Sequence, residues 1–324
     1  MRRGALPHGA SAAGKPGEPG EPGGGRGGNH SPRAGFGAAA PTQDGAGRGG
    51  RPDEIAGDVM LRECVEWLFT PAGSTARGLG LVGETVAMGA RHRRCRAAWE
   101  PHLQKCREVM LRAARMCPGR GTVVVCGSGY CLDVPVRRLA GMFERVVLAD
   151  AVHPLRARWL AGKCGNVRLL ETDMTGLLGQ AGAWREGLDV GAIRSVAPEG
   201  LEEFEPDLTL SANVLSQLPL PVKAWLIKLG CGEDGVAQVC RRIVAAHLDW
   251  LWGLPGMKCL VTDTENRDVD GGEVLEETDL LYGATLPPGG ETWTWHLAPR
   301  PEISRHFDRI RLVSAHIRSE RPPA

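Results

Sequence analysis

Apolar positions change their spacing near residue 120. Before it they recur every three or four residues; after it they gather in short runs set between helical stretches. Over 58–69, "DVMLRECVEWLF", Met60 or Leu61, Cys64 or Val65, and Leu68 share one stripe. That is the spacing of a helix with one apolar face, and Pro71 and Gly73 end it. A second helical pattern covers 81–116 through Val82, Val86, Trp99, Leu103, Cys106, Val109, Met110 and Ala113. Proline is best tolerated in a first turn, so Pro101 predicts two helices, with Pro101 opening the second.

From residue 122 strands and helices alternate. Strands are predicted over 122–126, 145–149, 166–170, 207–211 and 258–262. Helices are predicted over 134–142, 154–163 and 222–252, the last interrupted at "GCGEDG". Such alternation implies parallel βαβ units and a sheet covered on both faces. "TWTWHL" (292–297) and "IRLVSAHI" (310–317) have no crossover helix between them, so they predict a closing antiparallel hairpin. The expected fold is α/β and Rossmann-like: a mostly parallel seven-stranded sheet, a terminal antiparallel hairpin and an N-terminal helical cap.

Composition changes the picture at the N-terminus. Residues 1–52 are dominated by Gly, Pro, Ala and Arg and nearly lack branched apolar residues. Such a tail cannot bury enough surface to offset its ordering entropy, so disorder is expected. Its Gly-x-Pro triplets lose the collagen register by Arg26. The expected organisation is a tail over 1–52, a helical cap over 53–118 and an α/β domain over 119–320. No apolar core follows the basic start, and no run approaches the length of a membrane span. A cytoplasmic protein without membrane contact is the expectation. The ten cysteines form no Cys-x-x-Cys pair and several lie inside apolar runs, which predicts reduced packing thiols and no metal site. A formal net charge of +1 gives no global field for nucleic acid.

Candidate chemistry begins at "TVVVCGSGYCLDVP", 122–135. Gly127, Ser128 and Gly129 make a strand-to-helix loop of the nucleotide-cradling kind. A dinucleotide fingerprint needs a third glycine where this chain has Leu132, which turns the loop away from pyrophosphate. A nucleoside ligand asks only for close backbone approach. Asp150 ends the second strand, where a carboxylate can accept from both ribose hydroxyls. Asp173 ends the third, within reach of an adenine amine. Ligands of open α/β sheets bind at that carboxyl edge. The alternatives are an ordinary turn for the loop and helix caps for the two aspartates.

"VVVCGSGYCLD", "VVLAD", "VRLLETDM" and "LTLSANVLSQLP", in that order and spacing, resemble the class I S-adenosylmethionine-dependent methyltransferases. The resemblance covers roughly 121–318. It implies S-adenosylmethionine as cofactor, with Gly127 and Gly129 at its methionyl part, Asp150 at its ribose, Asp173 and Met174 at its adenine, and Asn213 near the methyl. Many members carry an acid two places before the first glycine, where this chain has Val125; Asp133 is expected to stand in by holding the ammonium group. "SANVLSQL" matches neither the Asn-Pro-Pro-Tyr motif of base methylation nor a metal-binding acidic set.

Asn213 and Gln217, four apart, are expected on one helical face as neutral hydrogen-bonding groups at the acceptor. His153 is read as a cap of the following helix and His247 as a helix-face residue; Asp263 and Glu265 are further strand-edge candidates. "RHRRCR" (91–96) reads as a solvated charged face, with phosphate contact as its alternative. "WTWH" reads as sheet packing rather than a stacking platform. "DTENRDVDGGE" (263–273) lacks EF-hand spacing and reads as a polar loop beside the acceptor pocket. The expected function is methyl transfer to a small molecule, with nucleic acid a weaker acceptor class. The alternatives are a nicotinamide-dependent oxidoreductase, or a methyltransferase-fold binding protein without activity.

Overall fold

The computed structural model describes Glu63 and residues 66–319, apart from Gly182, Glu186, Ala197 and Glu199. The tail expected over 1–52 lies outside the described residues, as does most of the helix expected over 58–69; residues 66–69 are helical.

Eight strands form one sheet: β1 (Thr122–Cys126), β2 (Arg145–Asp150), β3 (Val167–Glu171), β4 (Leu208–Ala212), β5 (Met257–Asp270), β6 (Glu273–Asp279), β7 (Glu291–Ala298) and β8 (Asp308–Arg318). Their order is β3-β2-β1-β4-β5-β8-β7, with β6 added beside β5. β1 to β5 run parallel, with Val124 level with Val147 on one side and Thr209 on the other. β8 is antiparallel to β5 and β7 to β8, which is the expected closing hairpin. The fold is therefore Rossmann-like α/β, and the order reverses at β1, making the β1–β4 boundary a switch point.

The helices are α1 (Ser74–Gly78), α2 (Leu81–Arg94), α3 (Arg96–Met116), α4 (Val136–Ala140), α5 (Leu155–Gly162), α6 (Leu178–Ala181), α7 (Pro219–Lys228) and α8 (Glu233–Gly253). β1 is buried on both faces. Val123 and Val125 join α3 in one core, while Val124 and Cys126 join α7 and α8 in the other. An unbroken apolar run in β1 reflects that double burial.

Three expectations are corrected. The helix break falls at Cys95 (φ −100°, ψ 20°), and Pro101 lies inside α3 rather than opening it. Burial of Trp99, Leu103 and Cys106 on that helix outweighs a proline penalty of about 3 kcal/mol. The basic run then falls in the last turn of α2, where the helix dipole favours cations. Arg91 and Arg94 pair with Glu302 at 3.4 and 2.7 Å, and Arg93 reaches Glu63 and Glu66 at 3.5 Å. The run is less a solvated face than a set of ion pairs.

The polar stretch 263–273 is not a loop. β5 continues to Asp270, Gly271 and Gly272 turn at φ 57° and 96°, and β6 returns as an eighth strand. Its charged side chains pair across the ladder: Arg309 Nε meets Asp268 Oδ1 at 2.6 Å, and Arg267 Nε meets Glu277 Oε2 at 2.9 Å. Cross-strand pairing lets a charged sequence adopt a strand that its hydropathy does not announce.

Candidate active site

Loop and strand ends meet at the carboxyl edge beside the switch point. Gly127 holds φ 79°, and its N–H donates to the Ala149 carbonyl at 2.9 Å. A Cβ there would stand 2.4 Å from Val214 Cβ and 3.0 Å from the Ala212 carbonyl oxygen. This glycine exists for packing between the loops after β1 and β4. Gly129 differs: at φ 44°, a Cβ would meet nothing within 4 Å. Its N–H donates to Asp150 Oδ2 at 2.7 Å. The Ser128 hydroxyl between them is buried and has no partner among the described residues.

Asp150 also faces the Val152 N–H, 3.4 Å from Oδ1. Burial raises its pKa above the ordinary carboxyl value, opposed by the Gly129 hydrogen bond. Asp173 follows the capping alternative in its contacts. Oδ1 accepts from the Thr175 N–H and hydroxyl at 2.8 and 2.7 Å, and Oδ2 from the Leu178 N–H at 2.7 Å. Met174 is buried with Val124 and Val147 in the α7–α8 core. His153 is no cap: Pro154 occupies that position, and His153 Nε2 donates to the Leu170 carbonyl at 3.0 Å, tying the loop after β2 to β3. His247 is buried on α8 with Nε2 3.0 Å from the Ser211 hydroxyl, and burial lowers its pKa to about 4.

The loops after β1 and β4 are joined side chain to side chain. Asn213 adopts φ 51°, a left-handed conformation that asparagine tolerates. Its Nδ2 donates to Asp133 Oδ2 at 2.6 Å and lies 3.4 Å from Cys106 Sγ. Burial raises the Asp133 pKa, and the Asn213 hydrogen bond opposes that rise. Gln217 does not share a helical face with Asn213. It lies in the turn before α7, and its Nε2 donates to the Asn213 backbone carbonyl at 2.6 Å. The left-handed residue breaks the helical run on which the four-residue spacing relied.

Residues from α3 and the hairpin pack beside these loops; of them the sequence singled out only "WTWH" and Asp263. The Trp293 indole donates to His102 Nδ1 at 3.1 Å, so His102 carries its proton on Nε2, 3.5 Å from Cys106 Sγ. His102 stacks on Trp295 with ring centroids 4.1 Å apart, and burial lowers its pKa to about 3. Trp99 meets Trp295 edge-on and donates to the Leu297 carbonyl at 2.7 Å. The tryptophans of "WTWH" thus face the α3 core, as the packing reading expects. Asp263 is wholly buried, bonded to Arg311 Nη1 and to the Ser216 hydroxyl. Arg107 holds the glycine loop from α3, donating to the Leu132 carbonyl at 2.8 and 3.0 Å.

No protein-family model matches the sequence, and no curated protein does. Solved structures give distant matches. A DhpI–SAH complex is 16% identical over 74% of this chain and 96% of its own, with a TM-score of 0.29. A Burkholderia thailandensis 1,6-didemethyltoxoflavin-N1-methyltransferase is 17% identical over 84% and 92%, TM-score 0.28. The 23S rRNA methyltransferase ErmE is 14% identical over 67% and 71%, TM-score 0.27. Likeness at this level decides neither fold nor function; strand order and site geometry have to carry both. Among the described residues, no three His, Cys, Asp or Glu side chains are placed to hold a metal, and no helix is long and apolar enough to cross a membrane.

Proposed function

We propose that the chain is an S-adenosylmethionine-dependent methyltransferase acting on a small molecule. The observation that carries this reading is the Gly129–Asp150 pair at the switch point. An open-faced left-handed glycine donates its N–H to a strand-end carboxylate, and the space above that glycine is free. A nucleoside fits such a cradle, because Asp150 keeps acceptor capacity for hydroxyls beyond its backbone bonds.

The residues fit the rest of the ligand as well. Asp133, held by Asn213, offers a carboxylate for an α-ammonium group. The bound cofactor supplies a methyl group already activated on sulfonium. Asp150 and Gly129 orient its sugar, and Asp133 anchors its amino-acid end. The protein's share of the rate is then alignment and exclusion of water rather than activation. Asn213 stands between the cofactor loop and the α3 side of the sheet, where an acceptor has to approach.

Isothermal titration with S-adenosylhomocysteine tests the reading. One-site binding that Asp150→Ala abolishes, in a variant with unchanged circular dichroism, supports it. Well-folded protein that binds neither S-adenosylhomocysteine nor S-adenosylmethionine overturns it.

A further inference from the structure

On the α8 face of the sheet, a cleft of about 530 Å³ lies between α8 and the segment 283–288 that leads towards β7. One wall is a single stripe of α8. Arg241, Ala245, Leu248, Asp249 and Trp252 follow the three- and four-residue spacing that lines up one side of a helix. Val244, Leu248 and Leu251 of that helix pack with Leu260 of β5, and Ala284 and Leu286 of the opposite wall rest on the same cluster. Both walls stand on one core. Arg318, the last residue of β8, lines the cleft and lies level with Lys258 near the start of β5. The cleft thus reaches towards the amino edge of the sheet, away from Gly129 and Asp150 at the carboxyl edge.

Three charged side chains line it, Arg241, Arg318 and Asp249, and together they leave one net positive charge. Neither arginine makes an ion pair among the described residues, whereas Arg94, Arg112, Arg300 and Arg309 each meet a carboxylate. The Arg318 guanidinium carbon lies 5.6 Å from the Trp252 ring centroid. A guanidinium that stacks through its face keeps its N–H groups for a planar anion. Arg241 stands eleven residues before Trp252, about 16 Å along the helix axis. Ala245 and Leu248 fill the stripe between them, and Leu286 and Pro287 stand on the opposite wall. A solvated guanidinium needs no partner. A ligand seated in this cleft takes water from both, and has to answer their charge.

We infer that the cleft is a second ligand site, and that it takes an amphipathic monoanion: a compact apolar or aromatic body bearing one carboxylate or sulfonate. The anion pairs with Arg318 beside Trp252, and the body covers Ala245, Leu248 and Leu286. A cleft of this volume is of small-molecule size. A cation would add like charge beside two guanidinium groups, and a neutral body would desolvate them without pairing them. The site is independent of methyl transfer.

Two probes share one aromatic body, 8-anilinonaphthalene-1-sulfonate and N-phenyl-1-naphthylamine, and only the first carries an anionic group. Fluorescence titrations of the full chain with each, beside a crystal soak in the sulfonate, test the site. The sulfonate should bind at least fivefold more tightly than the neutral amine and appear between α8 and 283–288. Arg318→Gln should weaken the sulfonate at least fivefold and leave the amine within about twofold. Adding Arg241→Gln should bring the two probes level. Ala245→Trp fills the stripe and should exclude both, and saturating S-adenosylhomocysteine should change neither titration. The inference is overturned if the neutral amine binds wild type as tightly as the sulfonate, or if the double variant keeps wild-type affinity for the sulfonate. It is overturned equally if the soak leaves the cleft empty, or if S-adenosylhomocysteine displaces the probe.

Discussion

Asn213 Nδ2 donates to Asp133 Oδ2 across 2.6 Å, linking the loop that follows β4 to the loop that follows β1. The two residues are eighty apart in sequence. Their bond ties the two loops together at the carboxyl edge of the sheet, beside the switch point.

Replacing Asn213 removes a donor from a buried carboxylate. Asn213→Ala should destabilise the fold by about 1–3 kcal/mol for the lost bond, plus about 1 kcal/mol for the left-handed backbone. Asn213→Gly separates the two, since glycine adopts φ 51° freely. Urea melts of both variants measure the difference; an Asn213→Gly protein as stable as wild type would mean that the amide is not holding Asp133.

Gly127 and Gly129 should part company under substitution. Gly127→Ala drives a methyl into Val214 and the Ala212 carbonyl, and should cost several kcal/mol in a denaturant melt. Gly129→Ala places its methyl in open space and should cost only about 1 kcal/mol of backbone strain. Calorimetry should nevertheless show S-adenosylhomocysteine binding at least tenfold weaker. A stable Gly129→Ala protein with unchanged affinity would remove this loop from the cofactor site.

Buried histidines set an acid limit on stability. His102 and His247 titrate at about 3 and about 4 in the folded chain, against 6.5 unfolded. Their stabilising contribution is fully present above pH 6.5 and is lost as pH falls towards about 3 for His102 and about 4 for His247, each at up to about 1.4 kcal/mol per pH unit. Asp133 and Asp150 act the other way, because burial raises both and a folded state that binds protons more readily gains stability as pH falls. The His247→Gln difference isolates one contribution: the variant's stability should decline less steeply than wild type between pH 6.5 and 4.5. Parallel slopes would place His247 outside the core.

Cofactor affinity should depend on acidity in its own right. Asp133 and Asp150 are both raised by burial, so they protonate above the ordinary carboxyl range. S-adenosylhomocysteine should bind with constant affinity at neutral pH and more weakly as pH falls into the range where these raised carboxyls protonate. Asp150→Asn should weaken binding at neutral pH and flatten that decline. A wild-type affinity that stays level over the whole acid range in which the chain remains folded would exclude both carboxylates from the ligand.

The alternation of strand and helix from residue 122, the glycine loop and the terminal hairpin were all legible in the chain, because buried parallel strands carry continuous apolar runs and left-handed turns select glycine. Asp150 and Asp133 were legible for the same local reason, each ending an element or loop at a known edge. β6 was not, since a charged strand is stabilised by pairing across the ladder, Arg267 to Glu277, rather than by hydropathy. Nor were the bond from Asn213 to Asp133 and the contacts that link His102, Trp295, Arg311 and Asp263. Those contacts bring α3 against β5, β7 and β8, and only the folded sheet decides which distant polar atoms lose water together and must find partners. Sequence determined the layout of the sheet's carboxyl edge; tertiary packing decided the chemistry beside it.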